Sequence, residues 1–181
     1  MNISHTVQVS ILGLLLVISM MPTTASTEDK VPQIAQGKPS DKKLDKKTEE
    51  RGRYVIKIAG CNDCHTPGYA DAAGKIPEKD WLTGDTIGWR GPWGTTYSSN
   101  LRLYMQNLSE DQWIQVSRAV EFRPPMPWFV LREMTEEDLR AIYRFIRHLG
   151  PAGQPAPNYL PPNQEPPQPY ILFPSSQESP P

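Results

Sequence analysis

The chain has 181 residues, 38% hydrophobic and 22% charged, with a mean hydropathy of −0.54, a composition that excludes a polytopic membrane protein and leaves a lean core. A net charge of −1 gives no global basic field for nucleic acid. Two cysteines exclude a disulfide-rich scaffold and any four-cysteine zinc or iron–sulfur site.

Residues 7–21 form an apolar run too short to span a bilayer comfortably, followed by Thr23, Thr24, Ala25 and Ser26. This outline predicts a secretory signal peptide over residues 1–25, with cleavage after Ala25. An uncleaved N-terminal anchor is the rival reading. Residues 26–44 are expected to be a polar linker; over residues 26–50 six basic side chains balance six acidic ones.

The globular body is placed at residues 45–151. Its first helix is expected over about residues 48–59, with Tyr54, Val55 and Ile58 as the apolar stripe. Gly52 inside it costs roughly 1 kcal/mol relative to Ala and suggests the close crossing of another helix. Ser109 is read as an N-cap with Gln112 at the capping-box position, and Leu108 and Trp113 as a staple. That helix is expected to run until Arg123-Pro124. Thr135 caps the last helix, whose face is Leu139, Ile142, Tyr143, Ile146 and Leu149, stopped by Gly150-Pro151.

Between Thr66 and Asn107 there is no helical period, and Gly68, Gly74, Gly84, Gly88, Gly91 and Gly94 argue against strands. A loop of that length inside a compact domain needs a reason. Its aromatic residues, among them Trp81, Trp89, Trp93, Tyr97 and Tyr104, exceed what three short helices can cover, so a large apolar cofactor is expected to complete the core. Residues 152–181 are read as a proline-rich tail: 11 of the 20 prolines follow Gly150, a composition that favours extended chain. Within it, Tyr170-Ile171-Leu172-Phe173 is an apolar island that either straps onto the body or a partner, or clusters by chance.

Cys61-Asn62-Asp63-Cys64-His65 has the C-x-x-C-H spacing of c-type haem attachment. Two thiols on one helical turn reach two vinyl groups as thioethers, and the next residue sets an imidazole under the iron. The rivals are weaker. A thioredoxin-like pair wants a preceding strand, whereas a helix is expected here. A structural disulfide leaves His65 idle. Zinc needs two further ligands, and only His5 and His148 remain among the histidines. For the sixth position the methionines of the body are Met105, Met126 and Met134. Met126, in Arg123-Pro124-Pro125-Met126-Pro127-Trp128, has its backbone fixed by three prolines and is the expected ligand. His148 is read as a cation at a helix C-terminus.

These stretches resemble a class I monohaem cytochrome c, an all-α fold of three or more helices and long loops around one covalent haem. The likeness is to the haem domains in cytochrome subunits of bacterial membrane-bound dehydrogenases. It rests on Arg51-Gly52-Arg53-Tyr54, residues 61–67, Gly94-Thr95-Thr96-Tyr97-Ser98-Ser99-Asn100, Pro125-Met126-Pro127 and residues 138–147. The resemblance implies one haem c per chain, bound through Cys61 and Cys64, with His65 and Met126 as axial iron ligands. It implies that the first and last helices cross at right angles at Gly52, and that Phe145, Tyr97 and Asn100 surround the haem. The carbonyl of Pro67 or Pro77 is expected to accept a hydrogen bond from the proximal imidazole. Those subunits carry several haem motifs; this chain has one.

The expected function is that of a periplasmic electron carrier rather than an enzyme. It would pass single electrons between a donor and an acceptor redox protein, such as a dehydrogenase or a terminal oxidase. It would meet a membrane only through a partner or an uncleaved signal segment. A subunit of a dehydrogenase or oxidase complex is the alternative, and a haem enzyme or sensor ranks last because no distal acid–base histidine is present. Arg140, Arg144 and Arg147 are read as a solvated helix face in preference to a docking patch.

Overall fold

The computed structural model describes residues 45–174, so the expected signal peptide and polar linker lie outside them. The last helix, α6 (Glu136–Leu149), organises the body. Thr135 accepts a hydrogen bond from the Asp138 backbone N–H at 3.1 Å, as its position as N-cap requires. Leu139, Ile142, Tyr143, Phe145 and Ile146 turn one face inward, and Phe145, Leu139 and Ile146 are fully buried.

The first helix, α1 (Lys46–Ile58), starts slightly earlier than its periodicity suggests because Asp45 caps it, accepting from Thr48 N–H at 2.9 Å. It meets α6 at Gly52, against Ala141 and Phe145. An ion pair between Arg51 and Asp138, at 2.6 Å, ties the same two helices outside the core. The other Asp138 carboxylate oxygen accepts from the Thr135 hydroxyl at 2.9 Å, so the same side chain also serves the N-cap.

Gly60, at φ +69°, ends α1 and opens the short α2 (Cys61–His65). Helix α4 (Glu110–Ala119) begins with the full capping box of Ser109 and Gln112. It stops at Ala119, short of the Arg123-Pro124 end expected from the sequence. Val120 turns extended, and the chain beyond it carries Phe122 inward against the core. The remaining helices, α3 (Leu101–Tyr104) and α5 (Trp128–Glu133), have no helical period long enough to read from sequence.

The glycines do not exclude strands. Strands β1 (Gly88–Gly91) and β2 (Gly94–Tyr97) form an antiparallel hairpin, pairing Gly88 with Tyr97 and Trp89 with Thr96. The absence of a side chain at Gly88 is what lets the sheet close: a Cβ there would sit 2.9 Å from Thr95 Cγ2 and 3.1 Å from Tyr170 Cβ. A third strand, β3 (Tyr170–Leu172), lies parallel to β1 on its other side, giving the order β2-β1-β3.

The apolar island of the tail thus belongs to the body. Phe173 packs against Trp89 and Trp93, with ring centroids 6.1 and 5.3 Å apart. Thr95 and Leu160 exchange two backbone hydrogen bonds, at 2.7 and 3.0 Å.

Arg102 binds the loops to the helices. It is 4% exposed and has no carboxylate partner among the described residues. Its guanidinium donates instead to the carbonyls of Leu149 and Gly150 at the end of α6, and to Lys79 O at 3.0 Å. The negative end of the α6 dipole compensates the charge. The arginines of α6 are also engaged: Arg140 pairs with Glu110, Asp111 and Glu136, and Arg144 with Glu110. Arg140 and Arg144 thus belong to a local ion-pair network, while Arg147 donates to the neutral Met105 carbonyl and Gln106 side chain.

Candidate haem site

A cavity of about 610 Å³ lies between α2, the hairpin, α6 and the segment after α6. Cys61, Cys64, His65 and Met126 all line it. Its volume falls in the range of cofactor sites, roughly 300–1,000 Å³.

The proximal side is built by α2. Both thiols are unbonded. Burial pushes the Cys61 thiol up to about 11 and raises that of Cys64. His65 is 8% exposed, and its Nδ1–H donates to the carbonyl of Ser99 at 2.7 Å. A carbonyl only accepts, so the proton sits on Nδ1 and the Nε2 lone pair is free to ligate a metal. Burial lowers the His65 pKa, the Ser99 bond opposing it in part, so the ring is held neutral, as a ligand must be.

The Ser99 carbonyl replaces the expected Pro67 or Pro77 carbonyl. The cause is a close approach of two loops. Gly84, at φ +80°, donates its N–H to His65 O at 2.9 Å and leaves room for the 98–100 backbone; a Cβ there would lie 2.8 Å from Ser98 O. Thr66 fixes the same corner, its hydroxyl donating to Asn62 Oδ1 at 2.7 Å and accepting from Leu82 N–H at 2.8 Å.

The methionine thioethers come from elements other than α2. Met126 is half-buried in the turn that leads into α5. Its N–H donates to Arg123 O at 3.3 Å, and its carbonyl accepts from Trp128 N–H at 2.9 Å. Thr96 Oγ1 donates to Pro124 O at 2.6 Å, fastening this turn to β2. Met105 and Met134 also line the cavity; Met105 is fully buried in the core cluster. His148 is exposed and is not part of the lining.

Tyr97 and Asn100 line the cavity. Asn100 also caps α3, accepting from Leu103 N–H at 3.0 Å. Phe145 does not reach the cavity wall. It is spent at the α1–α6 crossing, against Gly52 and Trp81, with Arg53 over its ring. Sequence reasoning missed Tyr159 as a lining residue, because nothing local marks a proline-rich segment as part of a wall.

The lining fits a haem. Its surface is mostly apolar, and it carries paired thiols, a neutral imidazole and methionine thioethers. Trp89 Nε1 on the wall is buried without an acceptor. Carboxylates carried by a haem are acceptors that such an orphaned donor lacks.

The family model described as Cytochrome c matches residues 49–150. The chain belongs to the cytochrome c family, and its helical body with a small sheet is consistent with a class I cytochrome c fold. The family implies covalently bound haem c and electron transfer through it. No curated protein and no solved structure matches the chain.

Proposed function

We propose that this cytochrome is a periplasmic one-electron carrier with one haem c, held by Cys61 and Cys64, and with His65 and Met126 as axial ligands. The observation that carries the reading is the shared cavity of those four side chains. The haem supplies an iron that cycles between ferric and ferrous states. The protein supplies a fixed neutral imidazole, through His65 and Ser99, and a turn around Met126 that Thr96 fastens to β2. Methionine ligation and an apolar cavity would favour the ferrous state and raise the potential. If His65 and Met126 both hold the iron, no ligand position would be left for a substrate, which favours a carrier over a haem enzyme.

The apolar run and small residues near the N-terminus support export to the periplasm. The resemblance to dehydrogenase cytochromes supports a dehydrogenase as donor, with a redox protein or a terminal oxidase as acceptor.

The test is the far-red absorption band of methionine bound to ferric haem. Met126→Ala should abolish it and lower the potential, while Met105→Leu and Met134→Leu should keep it. A band that survives Met126→Ala overturns the assignment.

A further inference from the structure

The family match ends at residue 150, but the wall of the cavity does not. Pro155, Ala156, Pro157, Asn158 and Tyr159 all line it. The segment carrying them is fastened along its length. Asn100 Nδ2 donates to the carbonyls of Ala152 and Gln154, at 2.8 and 3.0 Å. Leu160 pairs with Thr95 through both backbone groups, and Tyr159 OH donates to Trp93 O at 2.8 Å. Further on, β3 joins β1, and Arg90 pairs with Glu165 at 3.0 Å.

What this segment holds in turn is Arg123. The guanidinium carbon lies 4.0 Å from the Tyr159 ring centroid, well inside the roughly 6 Å reach of a cation–π contact. Arg123 also lines the cavity, and its carbonyl accepts the Met126 N–H. The stretch between α4 and α5 has few other anchors, Thr96 on Pro124 being the clearest.

We infer that Tyr159 is a positioning residue for the sixth ligand: its ring, fixed to the hairpin, seats Arg123 and so keeps the Met126 turn closed over the cavity. The inference deepens the proposed function and rests on Met126 as the axial ligand. It assigns a role at the haem to a residue outside the matched domain.

The test uses the ferric holoprotein and imidazole as the competing ligand. At saturating imidazole, the rate of replacement reports how often the methionine turn lets go. Tyr159→Ala should raise that rate several-fold to about tenfold, the scale of a lost cation–π contact. Tyr159→Phe keeps the ring, loses the bond to Trp93 and retains the Leu160–Thr95 pairing, and should fall between the parent and Tyr159→Ala. Arg123→Gln should match Tyr159→Ala, and the double variant should be no faster than either single one. An unchanged rate in Tyr159→Ala, or a Tyr159→Phe variant as fast as Tyr159→Ala, overturns the inference. If Tyr159→Ala yields no folded holoprotein, Arg123→Gln, altered at an exposed side chain, carries the same test. A far-red band that persists in Met126→Ala would overturn the ligand assignment and this inference together. Unchanged rates beside a band-free Met126→Ala would overturn only the role of Tyr159.

Discussion

The Cβ of Phe145 occupies the space that any side chain at Gly52 would enter. A methyl group built there would lie 2.6 Å from it, and closer still to the Ala141 carbonyl oxygen. The obstacle is helix backbone, which cannot rotate away. Gly52→Ala should therefore lose about 1–2 kcal/mol, overpacking outweighing the gain in helix propensity. Gly52→Val should lose more. Urea unfolding of the holoprotein measures both; an unchanged or raised midpoint for Gly52→Ala would mean that α1 and α6 can separate without cost.

Arg102 offers a second measurement. A lysine keeps the charge but cannot reach carbonyls on two segments at once. Arg102→Lys should cost about 1–3 kcal/mol in denaturant unfolding, because the carbonyls of Leu149, Gly150 and Lys79 lose their donor. Equal stability of the two proteins would contradict a structural role for the guanidinium.

The Arg51–Asp138 pair gives a dependence on pH. The hydrogen bond from Arg51, with a smaller contribution from Thr135, lowers the Asp138 pKa. A carboxylate whose pKa is lower in the folded state adds stability above its unfolded value, about 3.9. That stability is lost as the pH falls through the folded value. Asp138→Asn should melt a few degrees below the parent at neutral pH, and the gap should close as the pH drops below about 4. A gap of constant size across the titration would assign the effect to capping alone.

Covalent attachment is tested at the thiols. Haem should stay with the protein in acidified acetone. Cys61→Ser or Cys64→Ser should each leave one thioether, and the double variant should release the pigment entirely. Pigment retained by the double variant would show that the cavity holds its cofactor in another way.

The parts of this site legible in the sequence are those written locally. Cys61, Cys64 and His65 share one turn, Ser109 and Gln112 cap across three residues, and Thr135 caps Asp138. Gly52 was readable because a glycine inside a good helix needs a reason. Ser99 as the partner of His65 was not readable, since its carbonyl comes from 34 residues away and a backbone acceptor carries no residue code. The strands escaped because each is only three or four residues long and two are bounded by glycine. Phe145 lies at the α1–α6 crossing and not in the cavity lining: a large aromatic on an inward face gives no sign of whether it meets a helix or a cofactor. Tyr159 escaped because prolines signal extended chain but not what that chain leans on.

The parallel pairing of β3 with β1 also makes the sheet depend on a long return of the chain. Ile171 meets Trp89 from roughly eighty residues further along, so a chain cut between Leu160 and Tyr170 would leave the outer edge of β1 unpaired and Trp89 and Trp93 without the ring of Phe173.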